Sequence, residues 1–134
     1  MTRFFRILLS SVLIFSLAAP AASYAFEGSG TKDSPYLIGS KSDFIAINRA
    51  LVDSGLQFAG KYFRLTADVD LSGTDFSGIG YGHRAKQYAF CGDFDGAGHA
   101  VHGLHVDGGS DVYPIGLFVL LGQEGHLQIG RAHV

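Results

Sequence analysis

Asp93 and Asp95 lie two residues apart in the stretch 88–106, YAFCGDFDGAGHAVHGLHV, and are the side chains here best spaced for acid–base chemistry. In an extended strand, positions two apart share a face at about 6–7 Å, and cleaving a glycosidic bond requires two carboxyl groups flanking it. A plainer reading is preferred: Asp95-Gly96 is a common turn dipeptide, and Asp93 fits a solvated strand position, so no catalytic residue is assigned. His99, His102 and His105 recur every three residues. Zinc requires ligands that converge on one point, whereas in a strand a spacing of three alternates faces, so that only His99 and His105 share one. Neither a cysteine pair nor an HExxH accompanies them. Asp68 and Asp70 would suit calcium at a corner of the chain, yet the nonapeptide calcium repeat is missing. His99, His105, Asp68 and Asp70 are therefore expected to be solvated or hydrogen-bonded, with no metal and no cofactor implied.

Cys91 is the single cysteine, which excludes a disulfide within the chain and reads as a small packed side chain rather than a nucleophile. The run Gly92-x-Phe94-x-Gly96-x-Gly98 is not a phosphate cradle, because no helix follows to hold an anion at its N-terminus. Tyr62, Phe63, Phe90 and Phe94 could include a sugar-stacking surface, although alternation assigns Phe63 to the core.

The elements that position these residues follow from periodicity. Residues 62–71 alternate strictly, with Phe63, Leu65, Ala67, Val69 and Leu71 on one face and Arg64, Thr66, Asp68 and Asp70 on the other. That marks a half-buried strand, bent or interrupted near 66–68. In the opening stretch the glycines cut the chain into strand, tight turn and strand, with Gly96 and Gly98 expected at positive φ. Upstream the period changes: Phe44, Ile47 and Leu51 share one helical face, widened by Ile45 and Val52. Ser40 with Asp43 resembles a capping box, Ser42 is an alternative cap, and Gly55 stands where a helix stops. Pro35 biases Ser34 to extended backbone and so leads into a first strand at Tyr36, Leu37 and Ile38. Ile79, between two glycines, predicts a short strand; residues 81–87 and 107–114 predict loops. Residues 115–122, IGLFVLLG, predict a strand that is apolar on both faces. Short strands, Gly-rich corners and one amphipathic helix fit a sandwich, a barrel or a solenoid, and the scarcity of two-residue hairpin signals favours the solenoid with the helix as its lid.

The first 25 of the 134 residues have the form of an export signal. Arg3 and Arg6 precede an apolar run at 7–17, and Ser23-Tyr24-Ala25 supplies small residues for cleavage after Ala25. Residues 26–134 hold all twelve acidic residues and eight of the ten basic ones, a net charge of 8 − 12 = −4. Such a surface excludes a nucleic-acid footprint, and no membrane span is expected in this part. All nineteen glycines fall there too, as frequent turns between short strands require.

Several motifs in order then match a known pattern: GSGTKDSPYLI, the helix ending in VDSG, FAGKYFRLTADVDLSG, the FxGxFDGxGHxV pattern at 90–101 and IGLF at 115–118. Together, over 28–127, they resemble N-terminal modules of bacterial surface proteins with GLUG-type repeats, which are similar to filamentous-haemagglutinin and autotransporter passenger domains. The resemblance implies a mainly β, right-handed parallel β-helix with an N-terminal capping helix. It further implies a non-catalytic scaffold for adhesion or ligand binding, a host or matrix glycan or protein as partner, and downstream β-helix coils. A polysaccharide-cleaving enzyme built on Asp93 and Asp95, or a purely structural cap of a larger surface protein, are the alternatives. Val119 departs from the pattern, which has a glycine after GLF. Residues 128–134, QIGRAHV, back-translate to CAGATCGGAAGAGCACACGTC, which contains the start of a common sequencing adaptor. The expected organisation is therefore a signal at 1–25, a truncated capped β-helix module at 26–127 and a non-native tail at 128–134.

Overall fold

The computed structural model describes residues 25–83, 86–106 and 116–129. Residues 1–24 of the expected export signal, 84–85 and the whole of 107–114 among the expected loops, and 130–134 of the expected tail lie outside them. The described chain is mainly β with parallel sheets and one helix, in the order β1 (Tyr36–Ile38), α1 (Lys41–Ser54), β2 (Tyr62–Leu65), β3 (Val69–Asp70), β4 (Tyr81–His83), β5 (Lys86–Tyr88), β6 (Asp93–Asp95), β7 (Val101–His102) and β8 (His126–Gln128).

The helix forms where short-range rules place it. Ser40 accepts the Asp43 N–H while the Asp43 carboxylate accepts the Ser40 N–H, so the capping box is complete; Gly55 ends the helix in the left-handed conformation. Phe44, Ile47, Ala50 and Leu51 are buried, and each large apolar side chain there stabilises the packing by about 1.5–3 kcal/mol. Phe44 meets Phe76 at 6.1 Å and Phe94 at 5.9 Å. Asn48 accepts the Gly80 N–H through Oδ1 at 3.2 Å, tying the helix to a distant turn.

Parallel pairing dominates the sheets. β1, β2, β6 and β8 form one four-stranded sheet in that order, with Tyr36 opposite Phe63, Phe63 opposite Phe94 and Phe94 opposite Leu127. β3 pairs with β7, Val69 opposite Val101 and Asp70 opposite His102. Two isolated parallel bridges join Ile79 to Phe118 and Phe90 to Leu121. Inward positions of the large sheet stack aromatic rings: Phe63 and Phe94 lie nearly parallel at 6.2 Å, and Phe90 and Phe94 each reach Phe118 at 5.2 Å.

Local reading and structure part at several points. The alternating stretch breaks at 66–68, as its polar run suggests, but Ala67 is exposed because β2 ends at Leu65 and β3 restarts the alternation in another sheet. Residues 81–83 and 86–88 form an antiparallel hairpin, not a loop; no Gly, Asn or Asp between them signals the turn. Ile79 makes a single bridge instead of a strand, and within the apolar run 115–122 the described residues make two bridges instead of a continuous strand. The run changes partner between them, Val119 donating to the Ile79 carbonyl while the Leu120 carbonyl and the Gly122 N–H pair with Phe90. At the corner after β6 the positive φ falls on Ala97 and Gly98 and not on Gly96, with the His99 N–H closing the turn on the Gly96 carbonyl at 2.8 Å. Val119 fits its place because a Cβ on Gly78 would come within 2.7 Å of its Cγ2; Gly78 has none.

Phe58 also takes positive φ, 61°, a conformation that costs a bulky residue about 1–2 kcal/mol. Its ring is buried and meets Phe63 edge-on at 5.1 Å. Burying a phenylalanine returns about as much or more, so core packing decides the backbone there.

Candidate functional site

The outward face of the four-stranded sheet carries the candidate site. Because the pleat sends alternate residues to opposite faces, burying Phe63 and Phe94 and packing the half-buried Leu127 against the core turns their neighbours outward. Register then aligns two rows across the strands: Tyr62, Asp93 and His126 in one, Arg64, Asp95 and Gln128 in the other. Lys32 and Pro35 close one end, and together these residues line a shallow groove of about 340 Å³.

Asp93 and Asp95 do share this face, as a spacing of two requires, but their surroundings differ. Asp95 accepts the Ala97 N–H at 2.8 Å, stabilising the turn, and its other oxygen lies 4.0 Å from Arg64 Nε. Both partners are more than a third exposed, so the ion pair contributes at most about 1 kcal/mol. Asp93 stands between Tyr62 and His126 on the neighbouring strands. The groove residues Arg64, His126 and Gln128 escape a reading confined to nearby positions. Their signal is the recurring polar–apolar–polar triplet Tyr62-Phe63-Arg64, Asp93-Phe94-Asp95 and His126-Leu127-Gln128, visible once the sequence is aligned on itself at the strand register.

The histidines and the other aspartates form a separate feature. Asp68 accepts the Ala100 N–H at 2.9 Å and lies 3.3 Å from His99 Nδ1. Asp70 accepts the Ser72 N–H at 2.9 Å and faces His102 Nε2 at 3.9 Å. The Ala100 N–H holds the Asp68 carboxyl below its ordinary 3.8, against a smaller opposing effect of desolvation, with His99 adding to the lowering. Asp70 is lowered mainly by Ser72. His99 and His102 thus each meet an aspartate about thirty residues earlier in sequence. Among the described residues no group of three or more His, Cys, Asp or Glu side chains is arranged to hold a metal ion. Cys91 is half-buried, its Sγ 3.8 Å from the Ala89 carbonyl.

A third region is apolar. Leu65, Phe94, Val101, Leu117, Phe118 and Leu127 line a cavity of about 360 Å³ beside β8, the terminal strand of the sheet. Among the described residues no helix is long and apolar enough to cross a membrane.

The fold and groove define a mainly β protein with parallel sheets and a mixed-charge outer face. Comparison with known proteins adds one relative: the chain is similar to Halomucin of Haloquadratum walsbyi (strain DSM 16790 / HBSQ001), 37% identical over 94 residues. Those residues are 69% of this chain, and the chain spans about 1% of the length of that relative. No family model matches the chain, and no solved structure matches it.

Proposed function

We propose that this chain is an exported, non-catalytic module of a surface or secreted protein, a right-handed parallel β-helix capped by α1, whose outer sheet face binds a ligand. The observation that carries the reading is the repeated parallel return of the chain along its sheets. Paired positions lie 27 residues apart at 36 and 63, where α1 intervenes, 31 apart at 63 and 94 and at 90 and 121, 32 apart at 69 and 101, 33 apart at 94 and 127, and 39 apart at the bridge of 79 and 118. Such repeated parallel returns are what a winding chain would produce, and parallel connections are overwhelmingly right-handed. Support also comes from the GLUG-like motifs, the export-type N-terminus and the similarity to Halomucin. Rungs that stack in register present side chains in rows, which suits a repeated surface for a host or matrix glycan or protein, and further coils are the natural neighbours of the last rung.

A polysaccharide-cleaving role is the second reading, favoured by the placement of Asp93 and Asp95 along one groove. Against it, Asp95 is committed to its own turn and to Arg64. Protease shaving of intact cells that make the protein tests the main reading: release or digestion of the chain from the outside, or its recovery from the medium, is expected. Retention in the cytoplasm would overturn it. New reducing ends from a polysaccharide, abolished by Asp95→Asn in a folded variant, would replace the scaffold with an enzyme.

A further inference from the structure

We propose that the outer groove binds a neutral oligosaccharide lying across the strands, an inference that rests on the reading of this face as a ligand surface. The charges point to it first. Arg64 opposes Asp95, Asp93 stands beside His126 and Lys32 lines the same groove, so a polyanion would meet two carboxylates and a polycation would meet a guanidinium and an ammonium. Neither gains the complementary potential that recognition of a charged polymer uses.

A sugar hydroxyl both donates and accepts, and the groove offers both functions on a fixed lattice. Asp93 and Asp95 supply acceptors, Arg64 and Lys32 supply donors and the Tyr62 hydroxyl supplies each. Tyr62, half-buried on the same face, adds a flat apolar body with a polar tip, the surface on which the C–H face of a pyranose rests. Two steps from β2 to β8 at about 4.8 Å each give a span of about 10 Å between strands, and Lys32 and Pro35 line the groove as well. That extent fits two or three linked rings better than a single one.

The test titrates the purified full chain with maltotriose, cellotriose and mannotriose, and with trigalacturonate as the charged counterpart. Saturable binding of at least one neutral trisaccharide, little changed by added salt, is expected, with trigalacturonate weaker by about tenfold or more. Asp93→Asn, which keeps size and shape, is expected to weaken binding by about tenfold, the scale of one lost charge-assisted hydrogen bond. Tyr62→Ala and Arg64→Gln, each checked for an unchanged thermal transition, provide independent variants of the same groove. Preference for trigalacturonate, no saturation by any neutral trisaccharide, or undiminished binding in all three variants would overturn the proposal. Failure here with the chain exposed on intact cells defeats only the ligand class, whereas retention in the cytoplasm defeats the scaffold reading itself.

Discussion

Two Asp-x-Asp pairs lie at or beside parallel ladders of this molecule, and the structure uses them in different ways. Asp68 and Asp70 are consumed by the fold: each carboxylate accepts a backbone N–H, from Ala100 and Ser72, and each faces a histidine from β7 or the turn before it. Asp93 and Asp95 flank the buried Phe94 on the open groove, and only Asp95 is drawn into a turn. Identical spacing therefore leads to different chemistry. What decides is the neighbouring segment: beside β3 it brings His99, His102 and the Ala100 N–H, and beside β6 it brings Tyr62, Arg64, His126 and Gln128.

That contrast can be broken most severely through its anchors. Phe94 holds the second pair in place by packing on Phe44, Phe63, Phe90 and Phe118. Phe94→Ala is expected to lower stability by about 3–5 kcal/mol, measured from the urea midpoint, and to abolish ligand binding at the groove with it. Unaltered stability would mean that the aromatic stack does not position Asp93 and Asp95.

The first pair depends on a close approach at Gly103, whose φ is 72° and where a Cβ would fall 2.8 Å from the Ser72 nitrogen and would also strike the Asp70 carboxylate. Gly103→Ala is expected to cost about 2 kcal/mol, while groove binding survives in the folded fraction. A neutral result by chemical denaturation would show that the Asp70 turn yields to accommodate a methyl group.

The smallest effect is the titration of the exposed first pair. Both carboxyls are lowered in the folded chain from 3.8, so below that value the unfolded chain takes up protons first. Their contribution to stability is fully present above pH 3.8 and is lost as pH falls through the lower folded values. Paired Asp68→Asn and Asp70→Asn changes should therefore flatten the acid limb of a stability–pH curve relative to the unaltered chain. Superimposable curves would assign the acid loss to other groups.

The sequence carried much of this fold in positions close together. The Ser40–Asp43 box, the Gly55 stop and the Phe44, Ile47 and Leu51 face became α1 with those boundaries. The polar break at 66–68 became the division between β2 and β3. Less of the groove was legible. Asp93 and Asp95 could be singled out by their spacing, but Arg64 and His126 join them only through pairings of 31 and 33 residues. The hairpin of β4 and β5 has no turn residue to announce it, and Phe58 shows no local sign of positive φ.

Residue order by itself determined where the helix begins and ends, which strand positions face inward and where alternation fails, because caps and side-chain periodicity act over a few bonds. Tertiary structure alone decided that Asp68 meets His99, that Asp93 lies between Tyr62 and His126, and that Phe58 gives up a favourable backbone for a place in the core. Those outcomes depend on register between strands some thirty residues apart, which only the packing of the shared aromatic stack can fix.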